Sequence, residues 1–241
     1  MQVLQRDGLV QASELSKTLH VSEDTIRRDL RELAAAGRLQ RVHGGALPRS
    51  PTVSSFTERQ GQAAESKEAI AQAAVQLMRQ DQVIILDGGT TPLQVAQHIP
   101  SDLRATIVTH SPPIALALAE YDEIEVILIG GKLNKRNLVS VGAGTIEAFE
   151  NIRADVCFLG ITSLHPEVGI STRDMEEAYV KRAMIASSAE VVALASAEKL
   201  GTASHYIVGP LMDLTHLITE RSVPNEALAP YKEAGITIVR A

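Results

Sequence analysis

Apolar positions follow a helical period through the first fifty residues and a strand–helix alternation from about residue 83 onward. Val3, Leu4, Leu9 and Val10 open the chain around a turn at Asp7-Gly8. Residues 13–20 read as a short helix, with Ser13 as its cap and Leu15 and Leu19 four apart on one face. A tight turn at Val21-Ser22 leads into a second helix that runs to about Ala36, where Gly37 supplies a stop. Ser22 can cap this helix, and Glu23 and Asp24 suit its positive end. Ile26, Leu30 and Leu33 form its buried stripe. Residues 38–47 alternate polar and apolar around a turn at Gly44-Gly45, which predicts a two-stranded wing.

Pro48, Ser50, Pro51, Ser54 and Ser55 then mark a turn-rich stretch, followed by a helix over 65–80 with Ile70, Ala74 and Leu77 on one face. The expected domains are 1–48, a linker over 49–64, and 65–241. In the last of these, strands are predicted at 83–86, 106–109, 126–129, 156–160, 191–194, 217–219 and 236–239. Helices lie between most of them, at 91–98, 113–120, 145–152 and 175–187. Near-continuous apolar strands alternating with helices imply an α/β domain with a mainly parallel sheet covered on both faces. Ligands of such sheets collect at the C-terminal ends of the strands.

Charge sharpens the division. The whole chain carries a formal net charge of -6, yet residues 1–50 hold 8 basic and 6 acidic side chains. A basic head on an acidic body fits DNA contact confined to one end. On the second helix Asp24, Arg28 and Arg31 lie opposite the buried stripe, flanked by Thr25 and Arg27. Guanidiniums there can reach guanine edges or phosphates, and the helix start at Ser22 can receive a phosphate. The same face would also serve as solvated surface, with Asp24 and Arg28 as an i, i+4 ion pair. The wing favours DNA, since it offers Arg41 and His43 to the phosphate backbone or minor groove.

Cys157, the single cysteine, sits in an apolar run and reads as a buried structural thiol. No apolar run approaches the roughly 20 residues of a membrane span, and there is no signal-peptide pattern, so a soluble cytoplasmic protein with no membrane contact is expected. The histidines show no metal-ligand spacing, Gly142-Ala-Gly144 lacks the rest of a dinucleotide fingerprint, and no nucleophile elbow occurs; no metal and no cofactor are expected.

Three strand ends carry candidate chemistry. The first runs Asp87-Gly88-Gly89-Thr90-Thr91 straight into a helix. Glycines admit close backbone approach, threonines add hydroxyls, and the helix start favours an anion, which together make a phosphate cradle. A plain strand-to-helix turn needs one glycine at most. The second ends in Thr109-His110-Ser111 and the third in Gly130-Gly131-Lys132, so a shared pocket is expected. Asp174, Glu176 and Glu177 at a helix start suit its dipole. Lys199 could neutralise a phosphate or lie on the surface.

The run Val21-Ser22-Glu23-Asp24-Thr25-Ile26-Arg27-Arg28-Asp29-Leu30, with Arg41-Val42-His43-Gly44-Gly45-Ala46 after it, closely resembles the N-terminal signature of the DeoR family of bacterial regulators. That resemblance implies a winged helix-turn-helix that binds operator DNA. The rest resembles the DeoR-type sensor domain, similar in fold to sugar-phosphate isomerases such as ribose-5-phosphate isomerase. It implies a regulator, expected to be a repressor, of sugar metabolism genes, controlled by a phosphorylated sugar. Gly88, Gly89, Thr90 and Thr91 would hold the phosphate, and Ser111, Gly131, Glu177 and Lys199 would line the pocket. The family often has asparagine where His110 stands, and usually an aspartate and two serines before the lysine, where this chain has Ser196-Ala197-Glu198. Members usually carry several more residues before the position of Met1, so a short first helix is expected here. A symmetric homodimer or homotetramer would suit repeated half-sites. A phosphosugar isomerase with a fused head is the alternative, for which Glu177 is the candidate base; the regulator reading predicts no enzymatic activity.

Overall fold

The computed structural model describes residues 1, 3–4, 8–49 and 55–241. Asp7, Ser50, Pro51 and Ser54 fall outside the described residues.

The head begins with β1 (Val10–Gln11), α1 (Ala12–Leu19) and α2 (Glu23–Ala35), and closes with β2 (Leu39–Val42) and β3 (Gly45–Pro48). Ser22 caps α2 as expected: its hydroxyl accepts the Thr25 amide at 3.2 Å. Ser13, expected as the first cap, lies inside α1, and Gln11 stands at the cap position without a side-chain bond. Leu4, Val10, Ala12, Ile26, Leu30, Leu39 and Ala46 form a small core. The wing has three strands, ordered β1-β3-β2, and turns at His43-Gly44. Gly45 belongs to β3, where a Cβ would fall 1.9 Å from the Val10 carbonyl oxygen, so its bare backbone lets β1 join the sheet.

The stretch expected to be linker contains a helix, α3 (Phe56–Gln60), fixed by a capping box between Ser55 and Glu58. Phe56 packs into the core of the larger domain, and its amide bonds the Arg136 carbonyl at 2.9 Å. α4 (Ala64–Val75) follows and ends before the expected Gln80. Lys67 of α4, buried, donates to the Arg59 and Gln62 carbonyls, a cation holding the C-terminal end of α3.

The larger domain is built on β4 (Val83–Leu86), α5 (Thr90–Gln97), β5 (Ala105–Thr109), α6 (Pro112–Leu118) and β6 (Ile124–Leu128). A hairpin of β7 (Lys132–Asn134) and β8 (Val139–Val141) intervenes before α7 (Ala143–Glu150) and β9 (Ala154–Gly160). Then come β10 (Ser163–His165), β11 (Gly169–Thr172), α8 (Met175–Ala186), β12 (Ser188–Leu194), β13 (Tyr206–Gly209), β14 (His216–Thr219), α9 (Asn225–Glu233) and β15 (Thr237–Arg240). Seven strands form one sheet in the order β15-β14-β12-β9-β4-β5-β6, with every pairing parallel.

Alternate residues serve opposite faces. Ile84, Leu86, Val156, Phe158, Val192 and Leu194 pack beneath α4, α5 and α6. Ile85, Cys157, Leu159, Val191 and Ala193 pack beneath α7, α8 and α9. Both faces of the inner strands β4, β5 and β9 are largely buried, which is why these strands read as near-continuous apolar runs. Cys157 is fully buried, and burial pushes its thiol pKa up. After β4 the chain lays β5 and β6 on one side and later returns to put β9 on the other. The β4–β9 boundary is therefore the topological switch point, where open α/β sheets leave a crevice.

Candidate functional site

That crevice is occupied by a polar cleft of about 470 Å³ at the C-terminal ends of β4 and β9. Asp87, directly after β4, organises its floor. One carboxylate oxygen accepts the Gly88 amide at 2.8 Å and lies 3.1 Å from His110 Nε2. The other accepts the Gly160 amide at 2.9 Å and is ion-paired with Lys181 of α8. Lys181 also donates to the Gly160 carbonyl at 2.9 Å, and His110 Nδ1 lies 2.7 Å from the Ser140 carbonyl oxygen. Burial alone would raise the Asp87 pKa, but the Lys181 charge and the His110 bond outweigh it and hold the pKa at about 2.

This knot ties β4, β9 and α8 together beneath the cradle. Gly88 must be glycine because a Cβ would fall 2.1 Å from Val139 Cγ1. Gly89 stands at the α5 cap with φ 131°, a conformation that favours glycine, and no side chain caps the helix. The first-turn amides, at Thr90 and Thr91, are thereby left for a ligand. Pro92 has no N–H to satisfy.

Four further groups border the cleft. Glu177 of α8, buried, accepts from Asn134 Nδ2 at 3.0 Å and from Asn137 Nδ2. Burial raises its pKa; Lys181 and the Asn137 bond oppose this only partly. Arg59 of α3 donates to Asn137 Oδ1 at 2.7 Å. Lys199 retains some residue exposure, but its ammonium lies deep among protein atoms. Desolvation draws its pKa down to about 8, with Lys67, Arg59 and Lys181 contributing repulsion. Thr162 follows β9.

Of the residues expected at this site, the fold brings together Asp87, Gly88, Gly89, Thr90, Thr91, His110, Glu177 and Lys199. It does not line the cleft with Thr109, Ser111, Gly130, Gly131 or Lys132. The Thr109 hydroxyl accepts the Ser111 amide at 3.1 Å, and both residues are buried in packing. The Gly130 carbonyl accepts from Thr145, and a Cβ on Gly131 would strike Thr145 Oγ1 at 2.1 Å, so this pair serves close packing. Lys132 is exposed on β7. Asp87 and the Gly88 amide are turned inward and position the cradle. Arg59, Asn137, Gly160 and Lys181 were not singled out as ligand groups from sequence.

A second candidate surface lies on the head. Arg28 and Arg31 of α2 are exposed, with Thr25 on the flank. Arg27 of α2 and Arg41 of β2 border one shallow hollow, so the helix and the wing present arginines side by side. His43 stands exposed at the wing tip. Asp24 does not pair with Arg28: Arg27 bonds Glu23 at 2.7 Å and lies 3.9 Å from Asp24, while the Arg28 side chain is 65% exposed. Ser22 reaches the surface through its capping hydroxyl. Among the described residues no helix is long and apolar enough to cross a membrane.

The family model of a DeoR-like helix-turn-helix domain matches residues 1–52, and that of the DeoR C terminal sensor domain matches residues 62–221. The chain is 37% identical to the HTH-type transcriptional regulator GlpR of Haloferax volcanii, over 93% of this chain and 89% of that protein. It is 33% identical to the HTH-type transcriptional repressor GlcR of Bacillus subtilis, over 93% and 86%. With the glycerol-3-phosphate regulon repressor of Escherichia coli it shares 30% identity, over 93% and 89%. Among solved structures, ribose 5-phosphate isomerase A of Methanocaldococcus jannaschii aligns with 56% of this chain and 54% of that one, at 15% identity and a TM-score of 0.42.

Proposed function

The chain belongs to the DeoR family of transcriptional regulators, and from that premise we propose that it is a repressor whose grip on operator DNA is set by a phosphorylated sugar or polyol in the β4–β9 cleft. One observation carries the reading: an uncapped helix start, preceded by two glycines and opening with two threonines, faces the same cleft as Lys199 and Arg59. The phosphate takes the α5 amides and the Thr90 and Thr91 hydroxyls, while Lys199 supplies the counter-charge. Glu177 and its asparagines face the remainder of the ligand and select hydroxyls. Arg27, Arg28, Arg31, Arg41 and His43 contact the operator, with Ser22, Asp24 and Thr25 at the helix start.

A single small head offers limited specific contact, so the acting species is a symmetric oligomer. The exposed edge strand β6, with Leu128 at 48% and neighbouring Leu116 at 76% exposure, supports a second copy as the occupant of that face. Ligand acts by differential affinity for two arrangements of the heads. The cleft binds without turnover.

The test is fluorescence anisotropy of the full chain on DNA from upstream of its own gene, at several salt concentrations, with and without a panel of sugar and polyol phosphates. Salt-sensitive binding altered by a phosphate ester is the expected result. Isomerisation of a panel member, with no effect on DNA binding, would instead establish the enzyme reading.

A further inference from the structure

Beside the cleft lies a second hollow, of about 400 Å³, bordered by Arg59, Arg136 and Arg173. Arg59, Asn137 and Thr162 border both cavities, so the two are continuous. Arg173 follows directly on β11 and is held in a desolvated position, where burial first, then Arg49 and Arg136, bring its pKa down to about 10. Burial likewise lowers Arg59. Asp174 borders the same hollow, but its carboxylate is engaged in capping α8, where it accepts the Glu177 amide at 3.0 Å. Cations gathered at such close quarters, with burial working against their charge, are stabilised by an anion placed among them.

Resting on the phosphate-cradle reading above, we propose that this hollow is a second anion subsite, so that the preferred effector carries two anionic groups. One phosphate sits at the α5 start, and a second phosphate or a carboxylate at the far end of the sugar meets Arg136 and Arg173. Guanidiniums match both groups through paired N–H bonds. Arg59 stands between the two ends.

Isothermal titration of the full chain with ligands that differ by one anion tests this. The pairs are fructose 6-phosphate with fructose 1,6-bisphosphate, and glucose 6-phosphate with 6-phosphogluconate; the singly phosphorylated sugar of each pair, without the second anion, reports on the cradle. The added anion is expected to tighten binding at least about tenfold in one pair or both, and the better pair distinguishes phosphate from carboxylate. Arg136→Gln and Arg173→Gln are expected to erase that gain while leaving the affinity for fructose 6-phosphate and glucose 6-phosphate unchanged, and Arg173→Lys to restore part of it. No gain from the second anion in either pair, or equal weakening of both members of a pair in the glutamine variants, would overturn the second subsite and leave the cradle standing. Failure of every phosphate ester would remove the cradle and this inference together.

Discussion

Lys181→Met tests the knot beneath the cradle. The substitution keeps an unbranched side chain of nearly the same length and deletes its charge, leaving Asp87, 1% exposed, without its cation. In the native protein the Lys181 charge and the His110 bond hold the Asp87 carboxyl at about 2, below an ordinary aspartate near 3.9, a difference on the order of 2–3 kcal/mol in favour of folding. A depressed carboxylate contributes its full stability above the unfolded pKa, so this increment is complete above about pH 4 and is lost as the pH falls toward 2. Without Lys181, burial becomes the dominant influence and moves the folded pKa up. The variant should lose about 3–5 kcal/mol at pH 7, as expected when one partner of a buried pair is removed. Part of that loss should be recovered on acidification, as the stranded carboxylate takes a proton. The chain has no tryptophan, so urea unfolding is followed by circular dichroism across pH 3 to 8. A loss at pH 7 below about 1 kcal/mol, the worth of a solvated surface pair, with the native acid limb retained, would refute this account of the pair.

The other predictions concern binding. Thr90→Ala should abolish the effector response in the anisotropy assay and leave operator affinity intact; a normal response would remove Thr90 from the phosphate site. Because Lys199 titrates at about 8, anion affinity should fall about tenfold between pH 7 and pH 9 as its ammonium is lost, and Lys199→Met should bind more weakly with no such fall. Arg28→Ala, at an exposed position on α2, should weaken operator binding and lower the salt slope by about one, with thermal stability unchanged.

The inner strands of the main sheet were legible because both of their faces are buried, and Val, Ile and Leu therefore crowd into runs such as Val83–Leu86. The edge strands β6 and β15 are partly exposed but keep enough apolar residues to be read. β10, β11 and the β7–β8 hairpin are short and rich in Ser, Thr and Asn, so they left no apolar run to read. α3 was hidden by its setting among prolines and serines, although Ser55 with Glu58 three residues on is a capping-box spelling. Strand ends were harder to judge. Small residues leave the α5 start uncapped at Gly89 and serve packing at Gly131, and the difference lies in Thr145, fourteen residues on in sequence. Lys181 had a readable clue: it stands one turn after Glu177 on a helix stripe shared with Ala178, Val180 and Met184, where two charges are out of place. Nothing local marks Arg59, whose importance comes from where Lys67 and Asn137 hold it.

The seam between head and sensor bears on how these proteins can be recombined. β3 does not simply run into a tether: the Ala203 amide donates to the Pro48 carbonyl at 3.2 Å, and Arg49 bridges Ala203. Ala203 lies four residues beyond Lys199, and the Thr202 hydroxyl in between donates to the Lys199 carbonyl at 2.8 Å. A chimera that grafts a foreign head onto this sensor by matching linker length alone would discard that seam. It would keep both parts intact while uncoupling them, giving a regulator deaf to its effector. Grafts that carry the last wing strand together with the segment around Ala203 are the ones that should remain responsive.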